Sequence, residues 1–376
     1  MSRTYSDPEA TLGRISWVDS ARGLSVIAIV LFHVVLWDYH DIPGAENPPL
    51  SGFWSFQNGL MGSIRIPMLL LLSGMLASKK IRRGFGASGV YVNIFTNAYF
   101  YFLWLGIYGA FFLFTTGDLP HRITGVRDFA LNLVLPDTTL WYIFALVVFV
   151  PVLAVCRQVP AWCVLATLVI VFIAMHAWSE SPAMWTRLPG SMIFFALGVY
   201  GARWLSQMTQ KVRLWHLLVL LMVPPMALFV HGRVNVEVIQ GALGLVVQLS
   251  FAALALAVVI KMGDLKIIRR LGQTIGRRTL AIYVLHALFL YIWLLFGQSQ
   301  VGTEFREAVF GSAFWGSLYP MLVTFMILGL SLTVHWLVSG TRFRFLFVAP
   351  PVVSRVGRWL ETRAVREDRP FRGGSA

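Results

Sequence analysis

Charge is scarce in this sequence. Only 13% of its 376 residues are Asp, Glu, Lys or Arg, against about 25% in a soluble globular domain. Cysteine is almost missing. Cys156 and Cys163 are its only two, which excludes a disulfide framework and leaves free thiols as the expectation. The familiar signatures of soluble enzymes are missing too. There is no G-x-S-x-G, no H-E-x-x-H and no Walker loop. Gly84, Gly86 and Gly89 do spell G-x-G-x-x-G, but that fingerprint has meaning only between a strand and a helix. Here it follows a basic stop, so it reads as a loop. No internal repeat is visible, and no gap between apolar segments is long enough for a soluble domain. No cluster reads as a metal site, and no bound cofactor is expected.

What the chain has in quantity is apolar surface. Hydrophobic residues make up 57%, with 14 Trp and 28 Phe, and the mean hydropathy is +0.70. A membrane helix needs roughly 20 mostly apolar residues. Ten candidates meet or approach that length, at 17–37, 53–77, 90–115, 139–156, 161–178, 190–206, 214–231, 241–262, 279–298 and 315–338. The seventh contains Pro224-Pro225 and is expected to kink. The fold class expected is therefore an all-α integral membrane protein of about ten spans. Residues 1–340 would form the membrane domain and 341–376 a basic tail.

The net charge of +14 could suggest nucleic acid, but that needs a basic face on a soluble domain. Here the basic residues fall between spans and report topology. With the N-terminus in the cytoplasm, Arg122, Arg127, Arg187, Arg233 and Arg306 lie outside, and Arg22 and Arg65 lie within helices. Of 31 basic residues this leaves 24 inside, including "KKIRR" at 79–83 and "KIIRR" at 266–270. Ten of the 17 acidic residues fall in outer loops. Both termini are expected in the cytoplasm, and the chain in the inner, or plasma, membrane. The first span carries Asp19 and Arg22 and has no cleavage site after it, unlike a signal peptide.

The few ionisable groups left inside spans are the candidates for function, because each is costly in lipid. Arg22 and His33 are eleven residues apart. At about 100° per residue they share one helical face, separated by about 16 Å of rise. Asp19 lies on the same face, within pairing distance of Arg22. Arg22 could instead snorkel to headgroups, and His33 could be a neutral packing group. Arg65 falls near the middle of the second span with no carboxylate nearby, so an anionic ligand, water or a set of carbonyls must complete it. His286 lies about two turns into the ninth span. Trp141 and Tyr142 open the fourth span, where an interfacial aromatic belt is the simpler reading.

Five segments together resemble the bacterial membrane-bound acyltransferase type 3 family. "DSARG" leads into the R-x10-H spacing of Arg22 and His33. "RIPMLLLLSGML", "LWYIFALVVF", "LPGSMIFFALGVYGAR" and "TLAIYVLHALF" follow in the family's order. The resemblance covers almost the whole chain. It implies transfer of an acyl group, often acetyl, from cytoplasmic acyl-CoA to a hydroxyl of an envelope glycan or glycolipid. It makes His33 and Arg22 the essential pair, with Asp19 beside them, and Arg65, Trp141, Tyr142 and His286 candidates for substrate binding. Many members carry R-x-x-R at the start of the third helix. This chain reads "YVNIFTNAYFYF" there, with Asn93, Thr96 and Asn97, so either Arg65 and the basic loop at 79–83 supply the charge, the expectation favoured by Arg65-Ile66-Pro67, or the donor is held differently.

On this reading the basic end would hold the phosphates of CoA, and its pantetheine arm would lie along the stripe toward His33. His33 would act as general base, since an ordinary imidazole titrates near neutrality, or as a transient acyl carrier. The partners expected are membrane lipid, acyl-CoA and the glycan acceptor, and no nucleic acid. The competing reading is a transporter of an anionic or lipid-linked solute, with Arg65 and His33 as substrate or proton sites.

Overall fold

The computed structural model describes residues 16–85, 89–177, 184–208, 212–262 and 265–367. Ser88 and Gly86 of the glycine-rich loop and the last residues of the tail lie outside this set. The described residues form helices without a strand. In chain order these are α1 (Ser16–Trp37), α2 (Ser51–Gly62), α3 (Arg65–Arg83), α4 (Val90–Leu113), α5 (Val126–Asn132), α6 (Trp141–Val155), α7 (Ala161–Ala177) and α8 (Met184–Met208). There follow α9 (Leu214–His231), α10 (Glu237–Met262), α11 (Lys266–Gly276), α12 (Thr279–Gly297), α13 (Gln300–Phe310), α14 (Ala313–Ser339) and α15 (Pro351–Glu367).

Among the described residues, seven helical segments are long and apolar enough to cross a membrane. They coincide with seven of the ten expected spans. The expected spans at 161–178 and 214–231 are also apolar helices, α7 and α9, but shorter. The segment at 190–206 lies within α8, which carries Arg187 and Pro189. Pro224 and Pro225 sit inside α9.

The second span is interrupted. It divides into α2 and α3 around Ser63 and Ile64. Gly59, Gly62 and Ser63 weaken the helix there. Pro67 then falls in the first turn of α3, where its missing N–H leaves no bond unmade. Arg65 is consequently the first residue of a new helix, in place of a mid-helix position.

Helix α1 is the centre of the bundle, packing against α3, α11, α12 and α14. The closest crossing joins α3 to α8. A Cβ on Gly74 would strike the carbonyl of Phe195, and one on Gly198 the carbonyl of Leu71. Small residues that let backbones meet are a recurrent means of association in lipid. A second glycine contact seats α11 on the start of α1, with Gly272 against Ser20 and Gly276 against Asp19. Helix α11 carries "KIIRR", and α3 ends in "KKIRR". One end of the bundle is therefore strongly basic. Helix α15 lies against α4 at this end, where Glu361 accepts from the backbone N–H of Gly89 at 2.6 Å.

The opposite end is fastened by a buried ion pair. Asp38, one residue past α1, accepts from Arg306 of α13 at 2.5 Å, Tyr319 of α14 at 2.7 Å and Trp293 of α12 at 2.9 Å. Its side chain is fully buried. Both charges read as solvent-facing loop residues in the sequence. The fold turns them into a clamp over the end of α1.

Candidate active site

His33 sits where α1, α3 and α12 meet. Its Nδ1 lies 2.8 Å from the carbonyl of Ile29, one turn back on α1. A carbonyl can only accept, so Nδ1 carries the proton. His286 on α12 is held in the same way, with Nδ1 2.6 Å from the carbonyl of Tyr283. The Nε2 of His286 then keeps its lone pair, and it points at Nδ1 of His33 from 3.3 Å. The proton on His33 Nδ1 is shared between Ile29 and His286. The remaining nitrogen of His33, Nε2, holds a lone pair for chemistry. The sequence put His33 and His286 in separate segments, and the fold makes them a pair.

Three groups surround this pair. The Trp37 ring stands 4.3 Å from that of His33 and stacks on Tyr291. The Arg65 guanidinium lies over the Phe32 ring, 3.2 Å from its centroid, a cation–π contact. Its Nη1 is buried and finds no hydrogen-bonding partner among the described residues. Arg65 is also within electrostatic reach of His33 and of Arg187. His121, from the long loop at 116–138, lies against Trp37 and pairs with Asp137 at 3.3 Å. Nothing in the sequence singled out His121 from its polar neighbours in that loop.

A polar seam runs from this centre toward the basic end. Ser73 of α3 and Tyr142 of α6 share a hydrogen bond of 2.5 Å. The backbone N–H of Tyr142 donates to the Tyr283 hydroxyl at 3.2 Å, and Tyr283 donates to the carbonyl of Thr139. Arg22 closes the seam, close enough to act electrostatically on Tyr142. Its Nε is buried without a hydrogen-bonding partner among the described residues. Asp19 is mostly buried and forms an ion pair with Arg277, just before α12, at 3.7 Å. That pair ties α1 to α12 at the basic end.

The sequence favoured a surface belt for Trp141 and Tyr142. Both are instead more than 90% buried. The chain ahead of α6 enters the bundle as non-helical backbone, with Thr138, Thr139 and Leu140 buried. Such backbone survives at depth only if side chains satisfy it. Here Tyr283 caps Thr139, Tyr101 donates to the carbonyl of Asn132, and Asn132 accepts from Asp137 N–H at 2.7 Å. This is why Tyr142 reaches Ser73 near the middle of α3. Ser73 and Tyr283 were missed as site residues, although both lie in segments that carried the resemblance. Tyr283 is one turn from His286, a spacing that puts both on one helical face.

A family model for the acyltransferase domain matches residues 15–340. The chain belongs to the acyltransferase 3 family. It is a multi-pass membrane acyltransferase, and the transporter reading gives way. No curated protein and no solved structure matches the chain. The matched residues include every group of the seam just described and end where α14 ends.

Proposed function

We propose that this membrane acyltransferase moves an acyl group, acetyl in the simplest case, from cytoplasmic acyl-CoA to a hydroxyl of an envelope glycan or glycolipid. The observation that carries this reading is the proton held on His33 Nδ1, which leaves the lone pair on Nε2, at the end of a polar seam that starts at Arg22. The chain would cross the inner membrane ten times with both termini in the cytoplasm, which suits the basic end formed by α3 and α11.

The chemistry follows from the side chains. CoA phosphates sit at the basic end, drawn by lysines and arginines that an anion can bridge. The pantetheine arm lies along Ser73 and Tyr142, and Arg22 meets its polar groups. The seam spans about 16 Å, the rise between Arg22 and His33. The thioester then stands beside His33 and Arg65. The acceptor hydroxyl gives its proton to His33 Nε2 while its oxygen attacks the thioester carbon. The C–O bond forms, the C–S bond breaks, and the proton passes to the departing CoA thiolate. His286 holds the imidazole in the required tautomer throughout, and its lone pair supports the imidazolium. Arg65 offers Nη1 to the oxygen that becomes negative in the tetrahedral intermediate. Trp37 and His121 border the side from which the acceptor arrives.

A test uses acetyl-CoA labelled in its acetyl group, with membranes and an envelope glycan and lipid extract. The expected product is a base-labile O-acetyl ester. Arg22→Ala should raise the KM for acetyl-CoA by about 10- to 100-fold, the worth of a hydrogen bond to a charged group. Arg22→Lys keeps the charge and loses the fork, so its KM should fall between the two. Equal KM values for wild type and both variants would leave Arg22 a topological anchor.

Sidedness is tested with single cysteines in a cysteine-free background. Cysteines at Ser51, Pro120 and Thr303 should react with an impermeant thiol reagent in intact cells. Cysteines at Gln158 and Gly340, both exposed at the other end, should react only after the cells are opened. The reverse pattern would overturn the orientation.

A further inference from the structure

The basic end holds a cavity that the polar seam does not use. It has a volume of about 800 Å³ and lies between α8 and α9, backed by α10. Helix α9 packs along α10 and stands away from α8, which leaves the gap. Buried Met68 and Ile260 and half-buried Leu71 line it, together with Trp204 and Trp215, which are exposed. Along α10 it extends from Leu249 to Ile260, a rise of about 16 Å. That is close to half the roughly 30 Å hydrocarbon thickness of a bilayer, so the cavity has the depth of one leaflet.

Its chemistry changes sharply at the mouth. No carboxylate lines it, and its interior is aliphatic and aromatic. Trp204 and Trp215 are both more than half exposed, as aromatic rings at headgroup level are. Three cations adjoin lining residues, one by contact and two by chain sequence. Arg82 donates to the carbonyl of Tyr200, a lining residue, at 2.8 Å, and lies near its ring. Arg213 and Lys261 adjoin the lining residues Val212 and Ile260 and are exposed.

We propose that this cavity binds an anionic glycerophospholipid, with hydrocarbon chains reaching toward Met68 and the phosphate among Arg82, Arg213 and Lys261. An apolar space of this size facing lipid takes in hydrocarbon, because water gains no partners there. The basic rim chooses among lipids by headgroup, as basic pockets between membrane helices do. The bound lipid fills the gap between α9 and α8 and so completes the packing of the bundle. Its lining shares no residue with the His33 seam; Arg82 belongs to the basic segment given to the CoA phosphates, so lipid retention is measured without acyl-CoA and stands apart from the acyl-transfer reading.

The test reconstitutes the purified full chain in nanodiscs of dioleoylphosphatidylcholine with one quarter dioleoylphosphatidylglycerol, then counts retained lipid by native mass spectrometry. Wild type should retain phosphatidylglycerol well above its share. Arg82→Gln with Lys261→Gln should reduce that preference roughly 25-fold, about fivefold for each basic residue, while some lipid remains. Ala253→Trp with Ala161→Phe places bulk in the cavity from two exposed lining positions and should abolish retention. Three results would overturn the proposal: no retained lipid on wild type, retention of the two lipids in their bilayer proportion, or full retention in the filled variant. A filled variant that keeps its phospholipid but changes the acyl chain length it transfers would assign the cavity to the donor and also overturn it.

Discussion

Arg306→Ala is expected to lower stability by about 3–5 kcal/mol, the usual result of removing one partner from a buried ion pair. Asp38 is fully buried, and its Oδ1 is held by Arg306 at 2.5 Å. Without the guanidinium, only the hydroxyl of Tyr319 and the indole of Trp293 remain on the carboxylate, both on Oδ2. Arg306 also packs closely over Gly297, which has no side chain to obstruct it. Asp38→Asn added to Arg306→Ala should recover part of the loss, because it removes the orphaned charge. Arg127→Ala, at an exposed position on the same side, should change stability by no more than about 0.5 kcal/mol. Thermal unfolding in detergent reads all three. A wild-type midpoint for Arg306→Ala would mean that the pair contributes nothing to holding α1. Activity should fall with stability, since Asp38 lies five residues beyond His33 on the same strand of chain.

Much of this protein was readable before any fold was known, for one physical reason. Hydrocarbon tolerates few charges, so every ionisable residue inside a span is informative. Arg22 and His33 could be placed on one face of one helix by arithmetic alone, and the structure keeps both in α1. The helical class followed from length and hydropathy. What stayed hidden depends on tertiary contact. The pairing of His33 with His286 joins residues 253 apart in sequence, and no periodicity reports that. Arg65 looked buried mid-helix because hydropathy does not register a two-residue break at Ser63 and Ile64. Tyr142 looked interfacial because a span was assumed to begin at the membrane surface. Its helix begins inside the bundle, behind backbone that Tyr283 and Asn132 satisfy. Asp38 and Arg306 were misplaced for a similar reason. Each is a charge at a span end, which is ordinary until the two are seen to meet.

The central claim is that His33 Nε2 is the base in acyl transfer. His33→Gln is the informative change because glutamine keeps hydrogen-bonding capacity and cannot take a proton near neutral pH. The helix should insert as before, since α1 keeps its apolar window and the change adds no charge to it. Losing a general base costs typically 10²- to 10⁴-fold in rate. The most direct measurement is transfer of labelled acetyl from acetyl-CoA by wild type and His33→Gln, at matched protein in the membrane, with the dissociation constant for acetyl-CoA determined on both. The account predicts that His33→Gln binds acetyl-CoA as wild type does and transfers acetyl at least about 100-fold more slowly. Transfer by His33→Gln at a rate near that of wild type would contradict it, and would make His33 a hydrogen-bonding group of the bundle with no part in the chemistry.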